Sequence, residues 1–291
     1  MRTFKINKND SEKRLDSFLA KSVPLLPQSL MYKYIREKKI KLNGKRTRHN
    51  VKLCEGDILD LYIKDEFFSL HNYEYDFLKA PKDLTIIYED ENILLINKPL
   101  GLLSHSDKSK RCDTAIARVL RYLYEKGEYD PAKENSFSPA LANRIDRNTT
   151  GIIIAAKNAK TLRILNKLIK NREIRRLYLC VCSGMFDEKS GVLTDFLKKQ
   201  KSTNTVFITK EKLQGSKKIE TAYTVIDYKS GLSLVEAELI TGRPHQLRAH
   251  FAFINHPILG DVKYTNNKQN EKYKKHKSQL LCSYKLIFNL K

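Results

Sequence analysis

The sequence predicts an α+β protein in which a mixed, largely antiparallel central sheet forms the larger part and a small α/β unit precedes it. Three observations carry this prediction. Beyond about residue 84, strand-like runs outnumber helical ones and mostly follow one another directly, unlike the strict alternation of a doubly wound sheet. The first sixty or so residues read as helix, helix, hairpin and strand. Between these parts, residues 66–82 have mixed composition and include Pro81, as a linker does. The chain's 291 residues suffice for one large and one small domain. We therefore expect an N-terminal unit over 1–70, a linker over 71–83 and a larger domain over 84–291.

Each element has its own signal. From Ser11 onward, Leu15, Phe18 and Leu19 fall on one helical face, and Pro24 and Pro27 end that helix. A second helix is predicted over 28–38 with Leu30, Tyr34 and Ile35 inward and Lys33, Arg36, Lys38 and Lys39 on its surface. Ile40-Lys41-Leu42 followed by Asn43-Gly44 predicts a type I′ hairpin, because both turn residues tolerate positive φ. A strand follows over 58–63. In the larger part, Leu84 to Tyr88 and Ile93 to Pro99 flank a polar turn and read as a hairpin. Leu162, Leu165, Leu168 and Ile169 place a helix over 160–170, and strands are predicted over 177–183, 221–228 and 232–240. Pro244 stands where a first helical residue would, ahead of a helix over 245–254 with Leu247, Phe251 and Ile254 on one side. Residues 268–277 read as a basic loop.

Lys and Arg number 55 against 33 Asp and Glu, a formal charge of +22 that no fold requires and that self-repulsion penalises. A polyanionic partner explains it. The positive charge is spread along the chain and interleaved with Tyr, which suits RNA better than a small anionic metabolite. Between residues 28 and 52, Lys33, Arg36, Lys38, Lys39, Arg46 and Arg48 face a single acid, Glu37, and are expected to bind RNA. No long apolar segment suggests a membrane span. The five cysteines have neither disulfide nor zinc spacing, and the Met1-Arg2-Thr3 start lacks an apolar signal core, so the protein is expected to be cytoplasmic and monomeric. Cys180 and Cys182 should point to one face of a strand as small buried hydrophobes. With no Gly-rich phosphate loop and no ligand cluster, neither a cofactor nor a metal is expected.

The most informative run is Asn143-Arg144-Ile145-Asp146-Arg147-Asn148-Thr149-Thr150-Gly151, which leads into Ile152-Ile153-Ile154-Ala155-Ala156. It sets one carboxylate between two guanidinium groups at the mouth of a buried strand. Alone it reads as a loop ion pair. It is joined, however, by Arg176-Leu177-Tyr178-Leu179 and by Thr241-Gly242-Arg243-Pro244-His245-Gln246-Leu247-Arg248. Together with Tyr88-Glu89-Asp90, Asn97-Lys98-Pro99-Leu100-Gly101, His105, Gly184 and His256-Pro257-Ile258-Leu259-Gly260-Asp261, these motifs resemble the RluA-type pseudouridine synthases over residues 84–290, notably the members acting on large-subunit ribosomal RNA. The unit ahead of them resembles the S4 RNA-binding domain that many such members carry. Three departures stand out: Asn143 where the family commonly has His, Pro244 where Thr is usual, and Thr265 after Tyr264 where Gly often follows.

The resemblance implies a central mixed sheet crossed by the catalytic cleft, Asp146 as the catalytic aspartate, Tyr178 packed on the base and Arg243 paired with the aspartate. Isomerising uridine breaks N1–C1′ and makes C5–C1′ within one nucleotide, which requires an ionised carboxylate near the sugar rather than a redox group. The nucleotide must also leave its stack, and Arg144 and Arg147 are expected to bind RNA there, Arg147 filling the vacated space or holding a phosphate. His105 and His245 are expected to be structural or phosphate-contacting, and Asp261 to brace a turn. The resulting expectation is an RNA pseudouridine synthase acting on large-subunit ribosomal RNA. The alternatives are a synthase acting on tRNA, a non-catalytic assembly factor on the same scaffold, and an aspartate-nucleophile hydrolase. The last would want a second carboxylate or a metal.

Overall fold

The computed structural model describes residues 1–68, 75–106, 112–200, 203, 205–265 and 276–289. The first unit follows the predicted pattern: α1 (Leu15–Ser22), α2 (Gln28–Arg36), the hairpin β2 (Ile40–Leu42) and β3 (Lys45–Arg46), then β4 (Ile58–Leu61). A strand that the sequence reading missed, β1 (Arg2–Lys5), pairs antiparallel with β4 and gives a four-stranded sheet in the order β1-β4-β2-β3. Asn43 and Gly44 adopt φ of 50° and 71°, as a type I′ turn demands. Leu15, Phe18 and Leu19 form the core with Met31, Ile35, Leu59 and Leu61. Met31 takes the central place on α2, while Leu30 and Tyr34 are only partly buried against it.

The large sheet contains the hairpin of β5 (Ile86–Glu89) and β6 (Ile93–Lys98), with β7 (Ala140–Leu141), β8 (Thr150–Ala156), β9 (Arg175–Ser183), β10 (Ser190–Gln200), β11 (Thr205–Thr209), β12 (Lys217–Lys229), β13 (Leu232–Leu239) and β14 (Leu281–Ile287). Its order is β11-β10-β12-β13-β9-β14-β8-β6-β5, with β7 paired to β8 off this path. All pairings are antiparallel except that of β14 with β8, so the sheet is mixed and largely antiparallel. Helices α3 (Ala115–Glu125), α4 (Ala159–Lys170) and α5 (Gln246–Phe253) complete the domain. Thr114 and Asn158 cap α3 and α4 through side-chain oxygens that accept from Ala117 and Thr161 N–H, satisfying donors that a helix start leaves free. Strand β8 is buried on both faces. Ile153 and Ala155 join Tyr178, Cys180, Val235 and Phe251, whereas Ile154 and Ala156 meet Leu165 and Ile174. This explains the unbroken apolar run after the aspartate motif.

Strand β14 matters most for the site, because it lies between β8 and β9 and its Ser283 pairs with both Gly151 and Tyr178. Gly151 has φ of 106°, and a Cβ there would collide with the Ser283 backbone, so only glycine lets the loop after Asp146 enter the sheet.

Two sequence expectations need correcting. The segment taken as linker is part of the large domain at its described end: Phe77 and Ala80 are in its core, and Arg121 donates to the Leu78 and Ala80 carbonyls. Helix α5 begins at Gln246, not at Pro244, because His245 takes the left-handed conformation at φ 54° and ends the preceding loop. Most of the basic loop over 268–277 lies outside the described residues.

The two units touch through polar contacts. Asp10, fully buried, accepts from Asn135 Nδ2 at 2.7 Å and from Ser136 Oγ. Glu134 accepts from Asn7 Nδ2 at 3.1 Å and Asn9 Nδ2 at 2.6 Å, and Arg163 on α4 donates to the Ser11 carbonyl. Burial raises the pKa of Glu134.

Candidate active site

A cavity of about 540 Å³ opens where the loop before β8, strand β9 and the start of α5 meet, and its walls include Asp146, Tyr178, Arg144, Arg147, Arg243 and Arg248. The aspartate loop is a tight turn in which Thr149 N–H donates to the Asp146 carbonyl at 3.0 Å. Beneath it, the fully buried Lys98 donates from Nζ to the carbonyls of Pro99, Leu102 and Arg147 at 2.9, 2.8 and 2.9 Å. Arg147 closes the other side, donating from Nε to Gly101 O at 3.0 Å while its own carbonyl accepts from Gly101 N–H. Burial draws the Lys98 ammonium down to about 8, with the Asp146 charge opposing.

The electrostatic centre is a relay of three groups, of which Arg248 and Asp261 are buried and Asp146 is partly exposed. Arg248 Nη1 donates to Asp146 Oδ2 at 2.8 Å, and Arg248 Nε and Nη2 grip both oxygens of Asp261 at 2.6 and 2.9 Å. Asp261 is fully buried. The two carboxylates outweigh the cost of burying Arg248 and push its pKa up. The fork geometry suits arginine and excludes lysine. Asp146 Oδ1 accepts no hydrogen bond among the described residues, so one oxygen is fixed and the other is left unpartnered on a residue that lines the cavity. His245 Nε2 lies 3.8 Å from Asp146 Oδ2, and burial lowers the imidazole pKa despite that carboxylate. It is therefore neutral at pH 7 and is held through Nδ1 by Tyr264 Oη at 2.8 Å. Tyr178 is buried at 4% exposure, and burial raises its pKa, so the phenol keeps its proton at neutral pH.

The structure brings together Asp146, Tyr178, Arg243, Arg144 and Arg147, but it corrects the pairing. The aspartate's partner is Arg248. Arg243 is exposed at the rim, and its side chain has no partner among the described residues. Gln246 instead fixes the Arg243 backbone, accepting its N–H at Oε1. Asp261 does more than brace a turn, since it orients Arg248. Arg147 is tethered to Gly101, whereas Arg144 is exposed and unpartnered among the described residues, which makes Arg144 the freer of the two to reach RNA. Lys33, Arg36, Lys38, Lys39, Arg46 and Arg48 lie on the first unit. Arg36, Arg46 and Arg48 line a separate groove of about 840 Å³ with Tyr32 and His49. Lys33 and Lys39 pair with Glu37 at 3.8 and 3.1 Å.

The sequence reading missed Arg248, Lys98 and Arg176 as site residues. Arg248 and Arg243 sit in one motif, and only the left-handed His245 decides which of them turns inward. Lys98 looks like a surface lysine until its three carbonyl acceptors are seen. No group of three or more His, Cys, Asp or Glu side chains among the described residues could hold a metal ion, and none of the described helices is long and apolar enough to cross a membrane.

Comparison with known proteins gives four matches. Residues 92–253 match the family model described as RNA pseudouridylate synthase. The chain is 33% identical to an uncharacterised RNA pseudouridine synthase of Mycoplasma genitalium, over 98% of this chain and 88% of the relative. It is 32% identical to the ribosomal large subunit pseudouridine synthase D of Borreliella burgdorferi, over 86% of this chain and 75% of the relative. Among solved structures, human RNA pseudouridylate synthase domain containing 1 superposes with a TM-score of 0.56 at 23% identity, over 70% of this chain and 78% of that one, a likeness of fold.

Proposed function

The chain belongs to the RNA pseudouridylate synthase family, enzymes that isomerise uridine to pseudouridine in RNA, and on that premise we propose that Asp146 is its catalytic carboxylate and large-subunit ribosomal RNA its substrate. One observation carries the first part. Asp146 lines a cavity walled by Tyr178, with one oxygen held by the buried Arg248–Asp261 pair and the other unpartnered among the described residues. Attack at C1′, attack at C6 and removal of the C2′ proton all require such an oxygen, ionised and aimed. Tyr178, protonated and rigid in the sheet, supplies a flat wall for the uracil and a hydroxyl beside it.

The flipped nucleotide loses stacking worth a few kcal/mol, and Arg144 and Arg243 at the rim offset this by meeting its phosphates. We assign further RNA contact to the first unit, where Arg36, Arg46 and Arg48 line a basic groove and Lys33, Lys38 and Lys39 are exposed. The ribosomal target is supported by the name of the Borreliella relative.

The chemical test is tritium release from RNA labelled at uridine C5. Asp146→Ala and Asp146→Asn should lose at least about a thousandfold in rate, the scale expected for a reacting group, while RNA affinity stays within threefold. Activity above a few per cent in either variant removes Asp146 from this role. Carbodiimide-dependent primer extension on RNA from cells with and without the gene tests the target. A signal confined to tRNA would replace the ribosomal assignment.

A further inference from the structure

The cavity wall contains two donors that the relay leaves unused. Arg176 lies on β9 two residues before Tyr178, so both side chains face the same way. Its Nη2 donates to the Leu239 carbonyl at 3.1 Å, but its Nε is buried and has no acceptor among the described residues. The guanidinium makes no ion pair among those residues, and burial lowers its pKa. Asn143 is also buried in this wall. Its Oδ1 accepts from Ile154 N–H at 2.8 Å, which fixes the amide's orientation and leaves Nδ2 buried without an acceptor among the described residues.

Leaving buried donors unmet costs stability, more so for a cation. The other cations around the cavity are occupied or solvated. Arg248 is shared by two carboxylates, Lys98 by three carbonyls, Arg147 is tied to Gly101, and Arg144 and Arg243 are exposed. Arg176, half-buried beside the tyrosine, is the one whose Nε is buried and short of an acceptor among the described residues. Room has been made for it, since a Cβ on Gly242 would lie 2.5 Å from its Nη1.

We propose that Arg176, with Asn143 in the same wall, recognises the carbonyl oxygens of the uracil ring. This rests on the synthase reading above. Phosphates stay at the rim where the chain enters, whereas the base must lie deep against Tyr178, and its O2 and O4 are acceptors that two orphan donors match. The contact also strengthens during reaction. Attack at C6 moves the C5–C6 π pair toward O4, and cleavage of N1–C1′, by either remaining route, leaves the bonding pair on the ring and shared with O2 and O4. In each case negative charge grows next to a fixed guanidinium, which favours the transition state over the bound substrate. Arg176 is thus a specificity and rate residue, distinct from the Arg248 relay that positions Asp146.

The test uses the full-length protein and a transcript of the mapped site whose target nucleotide is uridine, 2-thiouridine or 4-thiouridine, tritiated at C5. Sulfur accepts hydrogen bonds weakly. For the parent, the thio substitution facing Asn143 should slow the single-turnover rate modestly and the one facing Arg176 by about 10- to 150-fold, the value of a hydrogen bond to a charged group. Arg176→Gln should be slowed comparably on uridine, keep its RNA affinity within threefold, and lose nothing more with that same thio nucleotide. Undiminished losses with both thio nucleotides in Arg176→Gln, a parent-like rate of that variant on uridine, or a fall in affinity matching the fall in rate would each overturn the proposal. Should Arg176→Gln fail to fold, Arg176→Lys goes through the same cycle with the same criteria. Absence of tritium release by the parent on uridine would instead strike the synthase reading itself.

Discussion

Arg248 holds two carboxylates at once, and its replacement acts on stability and chemistry together. Arg248→Gln leaves Asp261 buried with an uncompensated charge, so unfolding in urea should show a loss of about 3–5 kcal/mol, together with loss of tritium release because Asp146 is no longer aimed. Arg248→Lys keeps the charge without the fork and should fall between. A glutamine variant with the parent's urea midpoint would show that the relay is not structural. Lys98 gives a pH prediction with opposite signs for activity and stability. Its pKa in the folded protein is about 8, below the unfolded value of 10.5, so between those values the folded state binds fewer protons. Stability therefore rises with pH across that window as the cost of the buried charge is relieved. The rate should fall above pH 8, because the neutral amine no longer clamps the carbonyls of Pro99, Leu102 and Arg147. Rates at saturating RNA and urea midpoints from pH 6 to 9.5 check both limbs, and a flat rate profile would count against the clamp. At this scale the sequence singled out residues that the structure sets around one cavity, as for Asp146 and Tyr178. It was not legible where backbone direction decides between like residues, as for Arg243 and Arg248.

Strand β14 joins the strands that present Asp146 and Tyr178, and Gly151 is the point where this junction is tightest. Gly151→Ala adds both a Cβ collision with Ser283 and an unfavourable φ of 106°. A loss on the order of 3 kcal/mol or more is expected, read as a lower thermal midpoint with activity falling in proportion to the folded fraction. An unchanged midpoint would mean that β14 shifts without cost. Elements with a clean period were visible in the sequence: α1, α4, β9, β12, β13 and the Asn43-Gly44 hairpin all lie within a few residues of expectation. Those missed share a physical reason. Helix α3 mixes Arg118 and Arg121 with Tyr122 and Tyr124 among its apolar positions, β10 ends in Lys198 and Lys199, and β1 and β14 are strands only because distant partners pair with them.

The two units meet through Asp10, Asn7, Asn9, Asn135, Ser136 and Glu134, and this polar seam bears on what removal of the first unit would do. Deleting residues 1–70 should leave a folded catalytic domain, because its core lies beyond them. RNA binding should weaken with a shallower salt dependence, each lost phosphate contact reducing the slope by roughly 0.7–0.9. Affinities of the full chain and the truncation at several salt concentrations decide this, and parallel salt lines would remove RNA binding from residues 1–70. The composition shift announced the two parts, but nothing in it announced the seam, since asparagines and a serine carry it and such residues also make ordinary loops. The place of β14 in the sheet also sets a clock. Translation proceeds at roughly 5–20 residues per second, so the loop with Asp146 and the strand with Tyr178 wait on the order of ten seconds before residues 281–287 emerge and fill the gap between them. A nascent chain can fold its first unit during that interval, but the loop with Asp146 and the strand with Tyr178 are joined only when the late strand arrives.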